Sequence, residues 1–196
     1  MKQHSKHISS GEAAYLDGAI VRTPDFPKKG VTFLDVLPAL RDPHLFASIV
    51  VGLCEPYRAL GGGSSQGGPD VVVGLEARGF IFGTAVARNL RVGFVPIRKA
   101  GKLPGCTDRL SYSLEYGEAV IEMQKGILEP GSRVLIVDDL LATGGTAAAA
   151  GHLVNNQGAR VIGYSFVIEL NDLNGRKLIT DQHAITTSAI NSLLNY

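Results

Sequence analysis

The clearest pattern in the chain is a series of short apolar runs separated by stretches with helical periodicity. Apolar runs without alternation predict buried strands over residues 71–73, 92–97, 134–137 and 161–168, and helices are predicted over 80–90 and 146–156. This arrangement is typical of a mostly parallel sheet with both faces covered by helices. Residues 119–123 alternate weakly and predict a further strand after a long polar loop. We therefore expect an α/β fold, a mostly parallel twisted sheet flanked by helices, in one domain of residues 1–196.

Two local signals predict helices before the first of these strands. Ser9 and Glu12 have the spacing of a capping box, and apolar residues follow on one helical face. Asp42 followed by Pro43 predicts an N-cap with proline at the first helical position, opening a helix towards residue 60. Pro56 is expected to kink or shorten that helix.

The Gly-rich stretch GGGSSQGG, residues 61–68, raises the question of a phosphate cradle. A phosphate cradle normally follows a strand and opens a helix, whereas this stretch precedes a strand. It is predicted to be a flexible surface connection.

Composition and charge narrow the class of protein. The chain has 196 residues, of which 45% are hydrophobic and 19% charged, ordinary values for a globular protein with a sizeable core. The net charge of +1 gives no long-range field for nucleic acid or an anionic membrane, and no segment approaches the roughly 20 apolar residues of a membrane helix. Cys54 and Cys106 have neither metal-site nor disulfide-framework spacing, and the polar N-terminus lacks the apolar core of a secretory signal. The expectation is a cytoplasmic protein without a nucleic-acid or membrane partner.

The stretch VLIVDDLLATGGT, residues 134–146, carries the strongest chemical signal. Asp138 and Asp139 follow the apolar run at its carboxyl end, where open parallel sheets bind ligands. Neighbouring residues of a strand point to opposite faces, so both acids can serve one ligand only if the chain already turns there. Carboxylates accept hydrogen bonds from vicinal hydroxyls, and a turn at a helix N-terminus binds anions. The residues of that turn are Ala142, Thr143, Gly144, Gly145 and Thr146.

The whole pattern predicts a sugar phosphate, with its hydroxyls on the acids and its phosphate on the turn. The alternative is a solvated acidic turn followed by ordinary capping residues, which would be preferred for an isolated Asp-Asp or Gly-Gly pair. No lysine follows the glycines and no GxGxxG is present, so neither a P-loop nor a dinucleotide fold is supported.

This stretch resembles the phosphoribosyl-pyrophosphate signature of the type I phosphoribosyltransferases. The similarity extends along nearly the whole chain, through PDFPKKGVTFLDVLPALRDP, GLEARGFIFG, IRKAGKLPG, YSLEYG and VIELNDLNGRKL. The signature alone is specific to the superfamily, whereas GLEARGF together with KLPG and YSLEYG is much more specific and points to the members that use adenine. The resemblance implies the type I fold, with a small hood over the base site and a flexible lid loop.

In GLEARGF, residues 74–80, an exposed Arg78 beside free backbone N–H groups is a candidate clamp for a diphosphate. The alternative from the residues alone is a surface ion pair between Arg78 and Glu76. The resemblance implies that Glu76, Ala77 and Arg78 bind pyrophosphate and that the peptide bond before Ala77 is strained.

Arg98, Lys99 and Lys102 flank a Gly/Pro-containing loop over residues 100–105. Composition alone favours a solubilising loop. The resemblance instead implies a lid that closes over the pyrophosphate end of the substrate. It also implies that Arg98 reaches the diphosphate in a neighbouring subunit, and hence a homodimer.

Glu115 lies between aromatic residues in YSLEYG. From the residues alone an exposed surface glutamate is the better interpretation, although such a carboxyl is also a candidate for proton transfer. The resemblance implies that Glu115 is the catalytic acid/base facing the imidazole ring of the base, with Tyr116 beside it in the lid.

For the base, the resemblance implies stacking on Phe33, packing on Leu173 and recognition of the base edge by main-chain groups of residues 31–34, including Val31 and Leu34. The sequence departs from the family at Leu34 and Leu37, where a basic residue and a Ser or Thr are usual. If the backbone recognises the base, Leu34 and Leu37 leave the base site unchanged. If the missing basic side chain contributes, base affinity or loop stability would differ.

The activity implied by the resemblance is a purine-salvage transfer that makes AMP and pyrophosphate from adenine and phosphoribosyl pyrophosphate. It needs Mg²⁺, held mainly through substrate and water rather than by direct protein ligands. Two alternatives remain open: an enzyme of the same fold for another base, such as hypoxanthine, xanthine or orotate, and a non-catalytic nucleotide-sensing regulator. An ordinary nucleotide-binding α/β domain would leave the acidic pair unexplained.

Overall fold

The computed structural model describes residues 5–58, 67–114 and 117–196. In chain order its helices and strands are α1 (Ser10–Ala19), β1 (Val21–Thr23), β2 (Phe33–Asp35), α2 (Pro43–Arg58), β3 (Val71–Leu75), α3 (Arg78–Leu90), β4 (Gly93–Lys99), β5 (Thr107–Leu114), β6 (Gly117–Gln124), β7 (Arg133–Leu141), α4 (Gly145–Asn156), β8 (Arg160–Glu169), α5 (Gly175–Gln182) and β9 (Ile190–Asn195). Short 3-10 helices span Leu37–Arg41, Asn171–Leu173 and Thr187–Ala189.

A seven-stranded sheet forms the centre of the molecule, in the order β5-β6-β4-β3-β7-β8-β9. The five strands from β4 to β9 in this order are parallel, and β5 and β6 add an antiparallel hairpin at one edge. The predicted fold class, an α/β fold with a mostly parallel sheet, is confirmed.

The apolar runs do not alternate because both faces of the sheet are covered. Val72 and Leu135 belong to one buried cluster, with α1, α2 and α3, whereas Val73 and Ile136 belong to a second cluster with α4 and α5. All four side chains are fully buried. Successive residues of a strand point to opposite faces, so each run must be apolar at every position.

Both predicted helix starts are confirmed. The Ser9 side chain accepts a hydrogen bond from the Glu12 N–H, and the Glu12 side chain accepts one from Ser9 N–H, completing the capping box. Asp42 Oδ1 accepts bonds from the N–H groups of His44 and Leu45 at 2.8 and 3.1 Å. The second helix includes Pro56 and continues to Arg58.

Two predicted boundaries were wrong. The strand expected to end at residue 137 continues through Asp138 and Asp139 to Leu141, because the half-buried Leu140 and the buried Leu141 extend the apolar run. Residues 107–114, predicted as part of a polar loop, form β5, an edge strand whose Leu110 and Tyr112 pack on the core.

A separate two-stranded sheet pairs β1 with β2 and carries Phe33 at its end, opposite Thr23. Of the stretch 61–68, only the last two glycines belong to the described residues, so its prediction lies almost wholly outside them. Among the described helices, none combines the length and apolar character needed to cross a membrane.

Candidate active site

A cavity of about 380 Å³ lies at the carboxyl ends of β3 and β7. Its walls bring together most of the residues predicted to bind pyrophosphate and both predicted ribose-binding acids. The lining residues are Glu76, Ala77, Arg78, Lys99, Asp138, Asp139 and Leu140. The two separate sequence signals, GLEARGF and VLIVDDLLATGGT, thus meet at one place in the fold.

The two acids have different partners. Asp139 is buried and accepts a charge-assisted hydrogen bond from Arg78 Nε. Asp138 accepts a 2.9 Å hydrogen bond from the Asp139 N–H. Burial, followed by the negative charge of Asp139, raises the pKa of the Asp138 carboxyl well above its ordinary value.

Gly79 explains how α3 comes so close to these acids. A methyl group on Gly79 would lie 2.7 Å from Asp138 Oδ1 and 2.9 Å from the Val137 carbonyl oxygen, so only glycine fits there. Gly79 is not among the residues predicted from the sequence, although a glycine directly after Arg78, at the start of a helix, is a visible signal for close backbone approach.

A second, smaller cavity of about 80 Å³ lies over the predicted phosphate turn. It is lined by Asp138, Leu140, Leu141, Ala142, Thr143, Gly144, Gly145, Thr146, Ala147 and Phe166. Gly144 has φ +84° and caps α4, whose first N–H groups have no partner within the helix. This arrangement provides an anion site, and Asp138 lines both cavities.

The residues predicted to bind pyrophosphate do not form the Arg78–Glu76 ion pair that was the alternative from the sequence. Glu76 pairs with Arg98, whose Nε and Nη2 both lie 3.1 Å from its carboxylate, and the Lys99 N–H donates to the same group at 2.9 Å. The bonds from Arg98 lower the pKa of Glu76. Arg78 is therefore paired with Asp139, not Glu76. The Glu76–Ala77 peptide bond is cis.

The loop over residues 100–105, the predicted lid, is held by a buried acid that is not among the residues predicted from the sequence. Glu122 accepts hydrogen bonds from the N–H groups of Lys102 and Leu103 at 2.8 and 2.9 Å, from Thr107 Oγ1 at 3.1 Å and from Arg109 Nε at 3.0 Å. The bond from the Leu103 N–H is the largest of the causes that lower the pKa of Glu122 to about 2. The sequence does contain a signal for Glu122, because it is a charged residue inside the alternating pattern of β6.

Phe33, one of the residues predicted to bind the base, contacts Arg78, which also pairs with Asp139. The Arg78 guanidinium sits over the Phe33 ring at 5.2 Å from its centroid, and Phe26 packs edge-on against the same ring at 5.3 Å. Val31 and Leu173 are exposed, with 46% and 44% of their surface accessible. The Leu34 side chain points inward and is buried in the core.

Two predicted residues, Glu115 and Tyr116, lie outside the described residues. The structure describes the strands on either side, and Leu114 of β5 pairs with Gly117 of β6. Their roles as acid/base and lid residue stay predictions.

Comparison with known proteins agrees with this geometry. The phosphoribosyl transferase domain model matches residues 60–191. An adenine phosphoribosyltransferase of Sorangium cellulosum is 48% identical over 182 residues, which cover 93% of this chain and 88% of that protein.

Solved structures are similar over nearly the full length. The crystal structure of adenine phosphoribosyltransferase from Rhodothermus marinus has a TM-score of 0.85 at 41% identity and covers 96% of this chain and 100% of that one. The Saccharomyces cerevisiae enzyme, complexed with an imino-altritol bisphosphate and adenine, has a TM-score of 0.80 at 42% identity and covers 92% and 99%. The chain belongs to the phosphoribosyl transferase domain family and, within it, to the adenine phosphoribosyltransferases.

Proposed function

We propose that this protein transfers the phosphoribosyl group of phosphoribosyl pyrophosphate to adenine, giving AMP and pyrophosphate in purine salvage. The observation that carries the proposal is that Asp138 lines both cavities. One substrate with a diphosphate at one end, a phosphate at the other and ribose hydroxyls between them matches that arrangement.

In this proposal the 5′-phosphate binds the turn over residues 142–146, at the N-terminus of α4. The ribose hydroxyls bind Asp138 and Asp139 as acceptors. The diphosphate occupies the larger cavity beside Ala77, Arg78 and Lys99. Fixing both ends of the substrate holds the anomeric carbon in one position, which is positional catalysis.

Adenine would stack on the half-buried Phe33 ring and be covered by the exposed Leu173. Phe33 and Asp139 contact the same guanidinium, that of Arg78, so the base and ribose sites are neighbours. Recognition of the base edge is assigned to backbone groups of residues 31–34. The inward Leu34 side chain supports backbone recognition, because it cannot itself reach a base in the slot.

The reaction proposed is a displacement at the anomeric carbon through an oxocarbenium-like transition state. A nitrogen of the adenine imidazole ring forms the new bond to the anomeric carbon, and pyrophosphate leaves with the electron pair of the bond that breaks. Glu115 accepts the imidazole proton. Arg78 and Lys99 bind the charge that develops on the leaving diphosphate.

The proposal includes Mg²⁺. Asp138 and Asp139 border the larger cavity, and their carboxylate oxygens are hard ligands of the kind that suits this ion; they would help to hold it, mainly through substrate and water. When bound, Mg²⁺ would neutralise charge on the diphosphate.

We also propose that the protein is a homodimer in the cytoplasm. Arg98 would contribute to the diphosphate site of the partner subunit, exchanging its bond to Glu76 for one to the substrate. Both cysteines, Cys54 and Cys106, are free thiols, which supports a reducing compartment.

The first test is a panel of bases. Purified protein, Mg²⁺ and phosphoribosyl pyrophosphate receive adenine, hypoxanthine, guanine, xanthine or orotate, and pyrophosphate release is followed. Release with adenine alone is the expected result. Release with another base would show that the base site accepts that base instead of adenine. Tight binding of phosphoribosyl pyrophosphate without release for any base would indicate a sensor.

The second test separates binding from chemistry. Glu115→Gln should lower turnover far more than it weakens binding of phosphoribosyl pyrophosphate, and Glu118→Gln, an exposed neighbour, should do neither. Normal turnover in Glu115→Gln would remove Glu115 from the mechanism. Asp138→Asn with Asp139→Asn should abolish binding that depends on ribose hydroxyls, and normal titration of the double variant would refute the assignment of the acids.

A further inference from the structure

The Tyr112 hydroxyl lies 2.9 Å from Thr146 Oγ1. The two residues come from different parts of the fold: Tyr112 from the edge strand β5 and Thr146 from the first turn of α4. Both side chains are half-buried, and the Tyr112 ring packs against the core cluster beneath α4. The packing fixes the position of the hydroxyl, so the bond is part of the architecture.

The direction of this hydrogen bond decides what Thr146 can do. A threonine hydroxyl has a single hydrogen to donate and two lone pairs with which to accept. Thr146 lines the small cavity over the phosphate turn. The Thr146 hydroxyl can donate its hydrogen to an anion there only if the Tyr112 hydroxyl donates to Thr146 Oγ1. Tyr112 has a hydrogen for this bond. With an anion bound, the chain of donors runs from Tyr112 O–H to Thr146 Oγ1 and from Thr146 O–H to the anion.

We propose that Tyr112 is a positioning residue for the phosphate site, which orients the Thr146 hydroxyl towards the 5′-phosphate of the substrate. This inference rests on the proposed function. Bonds arranged in series polarise one another, so the bond from Tyr112 strengthens the bond that Thr146 makes to the phosphate.

The same bond joins the phosphate turn to the hairpin that leads to Glu115. β5 lies at the edge of the sheet, where it pairs with β6, and the bond to Thr146 also joins this strand to the first turn of α4. Leu114, the last residue of β5, directly precedes Glu115 in the chain. Occupation of the phosphate turn therefore favours one position of β5, the strand that precedes Glu115 in the chain.

The test is a double-mutant cycle measured by calorimetric titration with ribose 5-phosphate, a ligand that engages the turn without adenine. Loss of one hydrogen bond to an oriented donor predicts three- to tenfold weaker binding for Tyr112→Phe. Thr146→Val should weaken binding at least as much. The double variant should bind no worse than Thr146→Val, because the tyrosine acts only through the threonine hydroxyl.

Steady-state kinetics and a matched control complete the experiment. Tyr112→Phe should raise KM for phosphoribosyl pyrophosphate three- to tenfold and leave KM for adenine unchanged. Tyr15→Phe, which removes a tyrosine hydroxyl bonded to Asp42, should leave both constants unchanged, because neither residue lines the two cavities.

The possible failures are distinct. If the wild-type protein bound no ribose 5-phosphate, the proposed function would fall and this inference with it. If the wild type bound normally but Tyr112→Phe bound within twofold of it, or if the two substitutions were additive, the positioning role alone would be overturned.

Discussion

Gly144 and Gly175 lie in backbone contact: a methyl group on Gly144 would come within 2.6 Å of the Gly175 carbonyl oxygen. In return, a methyl group on Gly175 would lie 3.0 Å from the Gly144 nitrogen and 2.9 Å from a methyl carbon of Leu141. The start of α5 thus rests directly on the turn over residues 142–146. The segment that carries Leu173 and the proposed phosphate site form one packed unit.

Gly175→Ala is expected to push the phosphate turn out of place. Overpacking of this kind costs about 1–3 kcal/mol in the free energy of unfolding. The displaced atoms belong to the turn itself, so its N–H groups would be misplaced relative to the phosphate. Affinity for ribose 5-phosphate should therefore fall roughly tenfold. Thermal unfolding and calorimetric titration measure the two effects.

Gly11→Ala is the matched control. Gly11 lies in α1, and a methyl group there would have no atom within 4 Å. Replacing a helical glycine by alanine stabilises by roughly 0.5–1 kcal/mol, and ribose 5-phosphate should bind as before. Unchanged affinity in Gly175→Ala would show that the contact with Gly144 does not shape the phosphate site.

Asp138→Asn should stabilise the protein while it weakens binding. The pKa of Asp138 is raised in the folded state, so its protonated form stabilises the fold. This contribution is fully present below the unfolded pKa of about 3.9 and is lost as the pH rises through the folded value, because the carboxyl then ionises. The variant has no carboxyl to ionise and escapes this loss. Its melting temperature should exceed that of the wild type at pH 7, by a margin that grows upwards from about pH 4.

Asp70→Asn provides a control of opposite sign. Asp70 pairs with Arg133 at 2.8 Å, and that bond lowers the pKa of Asp70. Its stabilising effect is present above the unfolded pKa and lost as the pH falls through the folded one. Asp70→Asn should therefore lower the melting temperature at pH 7. A loss of stability in Asp138→Asn at pH 7 would contradict the raised pKa.

Features with a local cause could be predicted from the sequence. The capping box of Ser9 and Glu12 and the Asp42 cap depend on residues within three positions of each other. The buried strands are visible because both faces of the sheet are covered. The edge strand β5 was missed because its exposed positions are polar, so that the alternation of Leu110 and Tyr112 resembled a loop.

Contacts between distant segments could not be predicted in the same way. Arg78 was weighed as a partner of the nearby Glu76, but the fold brings Arg78 to Asp139 and Arg98 to Glu76. These pairings depend on how α3, β4 and β7 meet. Gly79 and Gly175 are required by close packing against residues far away in the chain, which spacing along the sequence does not reveal.

The two departures from the usual family pattern, Leu34 and Leu37, should behave differently when reversed. Leu34 is 8% exposed and stands opposite Arg22 in the small sheet, so Leu34→Lys would bring a charge towards the core and beside a like charge. A cost of about 1–3 kcal/mol is expected. Leu37 is 41% exposed, and Leu37→Ser should stay within about 0.5 kcal/mol of the wild type in chemical denaturation. Equal effects of the two would mean that Leu34 is not a core residue.

Glu122→Gln should loosen the predicted lid loop over residues 100–105 and raise KM for phosphoribosyl pyrophosphate. The carboxylate accepts bonds from two N–H groups of the loop, those of Lys102 and Leu103. A glutamine has one acceptor oxygen, and its NH₂ group would face donors. We expect KM for phosphoribosyl pyrophosphate to rise several-fold, since about 1 kcal/mol is the usual net value of one such bond.

The pH dependence of stability gives an independent check on Glu122. Its pKa is lowered to about 2, so its ionised form stabilises the fold above the ordinary glutamate pKa of about 4.3, and this stabilisation is lost as the pH falls towards 2. The wild type should therefore melt higher than Glu122→Gln at pH 6, and the difference should shrink between pH 4.3 and pH 2. Glu118→Gln, exposed on the same strand, should match the wild type throughout. A difference between the wild type and Glu122→Gln that stayed constant down to pH 2 would mean that the loop is held by the shape of this side chain and not by its charge.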